Sequence, residues 1–168
     1  GAAELIAVAE RFGLIGTIGE WVLDEACRQI SAWEGAGLRI RLAVNLSAHE
    51  LGQPDLAERV SRILALGGPG LPIEFEITET ALVDDLETAQ ERLQELRALG
   101  VRVCLDDFGT GFSSLSHLRR FPIDAVKVDR SFVRDIATNR HDSAIVSALV
   151  ALSASLGLDI VGEGIDAE

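Results

Sequence analysis

Apolar positions along the chain change period repeatedly, from short, nearly continuous runs to the three-and-four spacing of helices, and the changes fall at Gly, Pro and Asp. Runs rich in Val, Ile, Leu and Ala at 38–46, 73–78, 101–106, 125–129 and 158–163 predict five strands. Their near-continuous apolar character is that of buried parallel strands. Between them, Leu56, Val60, Ile63 and Leu64, then Leu86, Ala89, Leu93, Leu96 and Leu99, then Ile145, Leu149, Leu152 and Leu156 keep helical spacing. Gly67, Gly100 and Gly157 follow these segments as expected helix stops. Two more amphipathic helices are expected at 4–12 and 19–33. No low-complexity stretch or linker divides the chain, so one domain over 1–168 is expected.

Successive βα units imply right-handed crossovers and a parallel sheet. Two α/β architectures compete, the doubly wound open sheet and the (β/α)8 TIM-type barrel. Where polar residues interrupt the strands separates them. Asn45 ends the first strand, Glu76 lies near the end of the second, Asp106 and Asp107 end the third, Lys127 lies late in the fourth, and Glu163 ends the fifth. A barrel builds its site from such groups at the C-terminal ends of several strands. An open sheet concentrates its site at one switch point, and no glycine-rich phosphate loop follows any strand here.

Composition narrows the chemistry. The chain has 168 residues, 48% hydrophobic, with 27 acidic against 15 basic side chains and a formal net charge of -12. Such an acidic balance, with scattered basic residues, argues against a nucleic-acid polymer or an anionic membrane as partner, since both demand a positive field. An anionic ligand would need a cation's help. Cys27 and Cys104 lie in apolar segments without CxxC spacing, which disfavours disulfides and zinc and suits a reducing, cytoplasmic setting. No apolar run approaches the roughly 20 residues of a membrane span, and the first residues lack the marks of a signal peptide.

Glu76, Asp106 and Asp107 in apolar strands require compensation, because burying an isolated carboxylate costs several kcal/mol. Carboxylates with an amide carbonyl form a hard oxygen set suited to Mg2+ or Mn2+, whereas His49, His117 and His141 are scattered. Adjacent aspartates could share one ligand between two ions, as in phosphoester hydrolysis. Lys127 could orient a water or stabilise developing charge. A barrel enzyme using one Mg2+ and a lysine base to form an enolate fits the spacing nearly as well. Taken singly, Asn45 could cap a turn, Glu76 could be half of a structural ion pair, the aspartates could cap a loop, Lys127 could be a salt-bridge partner and Glu163 a surface residue. It is their convergence on five strand ends that favours a site.

The motifs Asn45-Leu46-Ser47, Glu76-Ile77-Thr78-Glu79, Asp106-Asp107-Phe108-Gly109-Thr110-Gly111-Phe112-Ser113-Ser114-Leu115, Lys127-Val128-Asp129-Arg130-Ser131-Phe132 and Glu163-Gly164-Ile165-Asp166 together resemble the EAL domain family. The order and spacing match from Glu4 to Glu168, and the pairing of a DDFGTG-type with a KVDRSF-type segment is highly specific. The resemblance implies a bacterial phosphodiesterase that hydrolyses cyclic di-GMP to the linear dinucleotide pGpG on a modified (β/α)8 barrel, with Mg2+ or Mn2+, two ions being expected. It implies Asn45, Glu76, Asp106 and Asp107 as metal ligands, with Asp106 bridging. Lys127 would hold or polarise the attacking water, and Glu163 would act at the second metal or as a base. Glu79 resembles the glutamate that anchors the family's mobile loop after Asp107, and Asp129 a supporting residue. A homodimer, and flanking sensory or GGDEF-type diguanylate cyclase domains in a possibly membrane-anchored parent, are expected partners.

Set against the family, the naming Glu-Ala-Leu segment of the first strand and a C-terminal Gln-Gly segment are absent from 1–168, so an incomplete barrel is expected at both ends. Asp166, Gly162 and Phe112 replace Glu, Ala and Tyr, which are mild changes. Loss of a metal-ligating glutamate is not mild, and these residues alone are expected to have little activity although the parent is competent. The alternative is a degenerate EAL module that binds cyclic di-GMP or a partner protein without cleavage. Retention of all six strand-end residues favours the enzyme.

Overall fold

Alternation of side chains along an extended strand gives each strand two faces, and in this protein the two faces are chemically different. A computed structural model describes residues 2–83, 85–109 and 120–165. It contains helices α1 (Ala2–Arg11) and α2 (Ile15–Gly35), strand β1 (Leu42–Asn45), α3 (Ala48–Leu51), α4 (Leu56–Gly67), β2 (Ile73–Thr78), α5 (Glu79–Val83) and α6 (Leu86–Ala98). There follow β3 (Arg102–Phe108), β4 (Ala125–Val128), α7 (Arg130–Val133), α8 (Arg140–Leu156) and β5 (Asp159–Gly162).

All strand pairs are parallel, and the sheet order is β1-β2-β3-β4-β5. A strictly sequential order has no switch point, which rejects the doubly wound alternative. It is the arc of a partial TIM-type barrel. Val44, Ile73, Phe75, Ile77, Val103, Leu105 and Val126 form the outer face and pack on Leu23, Ala26 and Ile30 of α2, Val60 and Ile63 of α4, and Leu93 and Leu96 of α6. The opposite, inner face is polar in layers. Near the strand starts Glu74 and Arg102 are register partners and hydrogen-bond at 3.1 Å, and Arg102 also reaches Asp159. Buried Cys104 and Ala125 separate this layer from the groups near the strand ends.

Several expectations change at the edges. The run 38–46 forms a strand only over Leu42–Asn45, because the Leu42 N–H makes the first bond of the ladder, donating to the carbonyl of Pro72, immediately before β2. Residues upstream have no neighbouring strand, and Leu38 and Ile40 are exposed. β1 and β5 are largely exposed rather than buried, since each has a strand on one side only among the described residues. Gly67 belongs to α4, with Gly68 as its cap, and α6 ends before Leu99 with Gly100 beyond. Gly157 does end α8, in the left-handed conformation. Polar caps set the other ends: Ser47 and Glu50 form a reciprocal capping box on α3, Asp85 accepts from Thr88 on α6, and Asn139 accepts from His141 on α8. No helix among the described residues is long and apolar enough to cross a membrane.

Candidate metal centre

Glu76, Asp106 and Lys127 stand on the inner face of three adjacent strands, and Glu163 directly follows β5. Register brings Asn45 opposite Glu76, Glu76 opposite Cys104, and Thr78 opposite Asp106. The Lys127 ammonium unites the group, with its Nζ 3.0 Å from Glu76 Oε1, 3.3 Å from Asp106 Oδ1 and 2.6 Å from Glu163 Oε1. Lys127 is thus the salt-bridge partner that it could be taken for singly, but a partner to three carboxylates at once. Burial pushes its pKa down, yet the hydrogen bonds it donates to Glu163 and Glu76 and the charges of Glu76 and Asp106 outweigh this and raise it. Lys127 is held as a cation.

The third strand carries a feature that spacing does not reveal. Leu105 pairs with Val126 and Phe108 with Val128, so three steps along β3 match two along β4. The extra residue is a bulge at Asp106 and Asp107, and β3 runs on to Phe108 instead of ending at Asp106. In an unbroken strand adjacent side chains point to opposite faces, and a bulge re-aims one of them. Asp107 lies at φ 55°, the one non-glycine residue with positive φ among those described. Aspartate tolerates this region better than most residues, and the Asp107 N–H donates to Asp106 Oδ1 at 2.9 Å. The outcome is a cluster in which one carboxylate oxygen from each of Asp106, Asp107 and Glu163 lies within 4.8 Å of the others. Burial, then the charges of Asp106, Asp129 and Glu163, push the Asp107 carboxyl above its ordinary range, with Lys127 pulling it back.

This donor set suits a hard divalent cation. It is all oxygen, and the four carboxylates of Glu76, Asp106, Asp107 and Glu163 are set against the single positive charge of Lys127. Glu76 lies on the Lys127 side of the cluster, and Asn45 lies opposite Glu76 on β1. Of the remaining expected residues, Asp129 caps α7, its Oδ1 accepting from the Ser131 N–H at 2.9 Å. Hydrogen bonds from the Ser131 side chain, and then from its backbone N–H, hold the Asp129 carboxyl below the usual range. Glu79 opens α5, is buried, and has both carboxylate oxygens without a hydrogen-bond partner among the described residues. Thr110 to Leu115, His117 and Asp166 lie outside the described residues. Apolar and polar spacing along the chain reveals neither the bulge nor the Glu74–Arg102–Asp159 layer. For the latter, opposite charges at like positions of neighbouring strands are a readable signal.

A wide cleft of about 800 Å³ opens beside β1, lined by Asn45, Ser47, Glu76, Thr78 and Thr80 on one side and by Ile6, Ile15, Ile18 and Val22 of α1 and α2 on the other. Of the residues expected at the site, Asn45 and Glu76 line this cleft, and a barrel carries its functional groups at such C-terminal strand ends. The EAL domain profile matches residues 1–168. The chain belongs to the EAL domain family. It is 47% identical over 168 residues to an uncharacterized signaling protein of Caulobacter vibrioides, covering 98% of this chain and 20% of that protein. It is 41% identical over 164 residues to the cyclic di-GMP phosphodiesterase PdeR of Escherichia coli, covering 97% and 25%. Among solved structures, the PaMucR phosphodiesterase in complex with c-di-GMP superposes with a TM-score of 0.89 at 42% identity, covering 99% of this chain and 68% of that one. The chain therefore spans a fifth to a quarter of the length of these curated relatives.

Proposed function

We propose that this chain forms the core of a divalent-metal-dependent phosphodiesterase domain that hydrolyses cyclic di-GMP to linear pGpG. The observation that carries the reading is the convergence of Glu76, Asp106 and Glu163 on Lys127 beside the Asp106–Asp107 bulge. Names of relatives that refer to cyclic di-GMP hydrolysis support the substrate class. The enolate-forming alternative accounts for neither the adjacent aspartates nor this kinship.

In this reading Asn45, Glu76 and Asp106 would hold one Mg2+ or Mn2+, and Asp106, Asp107 and Glu163 would hold a second, with Asp106 common to both sets. The bound ions supply neutralisation of the phosphodiester charge and a lowered pKa for a water nucleophile. Lys127, fixed as an ammonium by its three carboxylates, donates hydrogen bonds that orient the attacking oxygen. Glu163, the most solvent-accessible of those three carboxylates, acts either at the second ion or, in its place, as the base that accepts the proton released. Glu79 anchors the segment after Asp107 by supplying a buried acceptor, and Asp129 supports the site by fixing α7. The acidic cluster repels an anionic substrate until cations fill it, which makes hydrolysis strictly metal-dependent.

The wider protein is proposed to be cytoplasmic at this domain, to act as a homodimer, and to carry sensory or diguanylate cyclase domains, the last supported by a relative named as a bifunctional enzyme, MucR. Conversion of cyclic di-GMP to pGpG, followed by chromatography with and without Mg2+, tests the assignment in the complete protein. Outer partners of a metal site are worth roughly 10- to 100-fold, so Asp106→Asn, removing a bridging ligand, should cost at least that. Full activity in that variant would overturn the metal assignment.

A further inference from the structure

The one-turn helix α7 follows Lys127 and its Asp129 cap directly, and the cap fixes its start but not what its side chains pack on. Its side chains press on two glycine turns. Gly109, at φ +100° and two residues after Asp107, faces the Phe132 ring so closely that a Cβ there would lie 3.2 Å from Cε2 and 3.6 Å from Cζ. Gly164, at φ +69° and next to Glu163, faces Arg130, whose Cβ would be 2.9 Å from a Cβ on that glycine. Val133 packs over Gly162 on the near side of Glu163, 3.7 Å from where a Cβ would stand. At its start, α7 is pinned by the Asp129 cap, and next to it the Glu163 N–H donates to the Val128 carbonyl at 3.2 Å. One short helix thus lies between the turn that follows Asp107 and the turn that follows Glu163.

We infer that α7, through Phe132 and Arg130, is a positioning element that sets the distance between Asp107 and Glu163 and so builds the second ion site. This rests on the two-ion reading above. Asp106 and Glu76 do not depend on α7 in the same way. They are placed by the β2–β3 register and by Lys127. Asp107 and Glu163 lie where the strands give way to turns, and a coordinating pair must be held within about 0.5 Å to bind an ion well. The close contact at Gly109 and Gly164 supplies that constraint, because a turn without a Cβ lets the helix seat directly on backbone. Phe132 and Arg130 touch no reacting atom in this role; they act through the two turns.

The test uses the complete protein, titrated with Mn2+ alone and followed by electron paramagnetic resonance, which distinguishes an isolated ion from an exchange-coupled pair. Unfolding curves in EDTA check that each variant is folded. Wild type should show the coupled signal. Phe132→Ala and Gly164→Ala should each require at least about tenfold more Mn2+ to reach it, while binding of the isolated first ion stays within about twofold. Phe132→Leu, which restores part of the ring's bulk, should recover much of the pair, and it decides the matter if Phe132→Ala does not fold. An unchanged coupled signal in folded variants would overturn the inference, as would equal weakening of both ions, which marks general loosening. Absence of a coupled pair in wild type would overturn the two-ion reading itself.

Discussion

Replacing Lys127 with methionine keeps the length of the side chain and removes its charge. The ammonium lies within 3.3 Å of Glu76, Asp106 and Glu163, and the Lys127, Glu76 and Asp106 side chains are 13–15% exposed. Breaking a buried ion pair by deleting one partner costs about 3–5 kcal/mol, and in this protein three carboxylates lose their partner together. Glu163, at 31% exposure, is partly relieved by solvent, so the sum stays in that range and is not multiplied by three. For a chain of this size each kcal/mol moves the melting point by about 2–4 °C, so Lys127→Met should melt roughly 6–20 °C below wild type in EDTA. Millimolar Mg2+ should narrow the gap, because a divalent ion replaces the missing charge. The pH dependence has a definite sign. Lys127 has a folded pKa raised above its ordinary 10.5, so its stabilisation is complete below that pH and is lost as pH rises through the folded value. Thermal unfolding followed by circular dichroism, with EDTA and with Mg2+, provides the assay. A melting point within about 2 °C of wild type in EDTA would refute the idea that Lys127 holds this cluster together.

Three other outcomes test the packing around the site. Burying Glu79 with neither oxygen bonded is costly, so Glu79→Leu should stabilise the metal-free chain by roughly 1–3 kcal/mol in urea unfolding, even if hydrolysis falls. A Cβ on Gly19 would run into the Glu50 carboxylate, so Gly19→Ala should displace Glu50, break the α3 capping box and cost about 1–2 kcal/mol by the same measurement. Cys104 is fully buried, and burial, then the charges of Glu74 and Glu76, push its thiol up to about 12. It should resist a thiol reagent at pH 8 in the native chain and react promptly in denaturant.

Much of this architecture was legible in the chain. Residues 73–78 predict β2 to the residue, because Ile73, Phe75 and Ile77 must face a core while Glu74, Glu76 and Thr78 face away. Asn45, Glu76, Asp106, Lys127 and Glu163 stand out as polar residues closing apolar runs, and three of them, Glu76, Asp106 and Glu163, meet at Lys127. The family motifs extended that set to Glu79 and Asp129. What local pattern misjudged was extent: 38–41 carry strand-like residues but have no strand to bond with.

Period and capping are local properties, fixed by neighbours three or four residues away, and so the sequence by itself determined which segments form strands and helices and which strand ends carry charge. Two adjacent aspartates read as pointing to opposite faces of a strand. Only the pairing of β3 with β4 inserts the bulge that brings Asp106 and Asp107 to one cluster with Glu163. The Lys127 contacts, the unbonded oxygens of buried Glu79 and the seating of α7 on Gly109 and Gly164 have the same origin. Each depends on the register between strands or on packing between segments far apart in the chain, and register is set by long-range hydrogen bonding and burial that no local window contains.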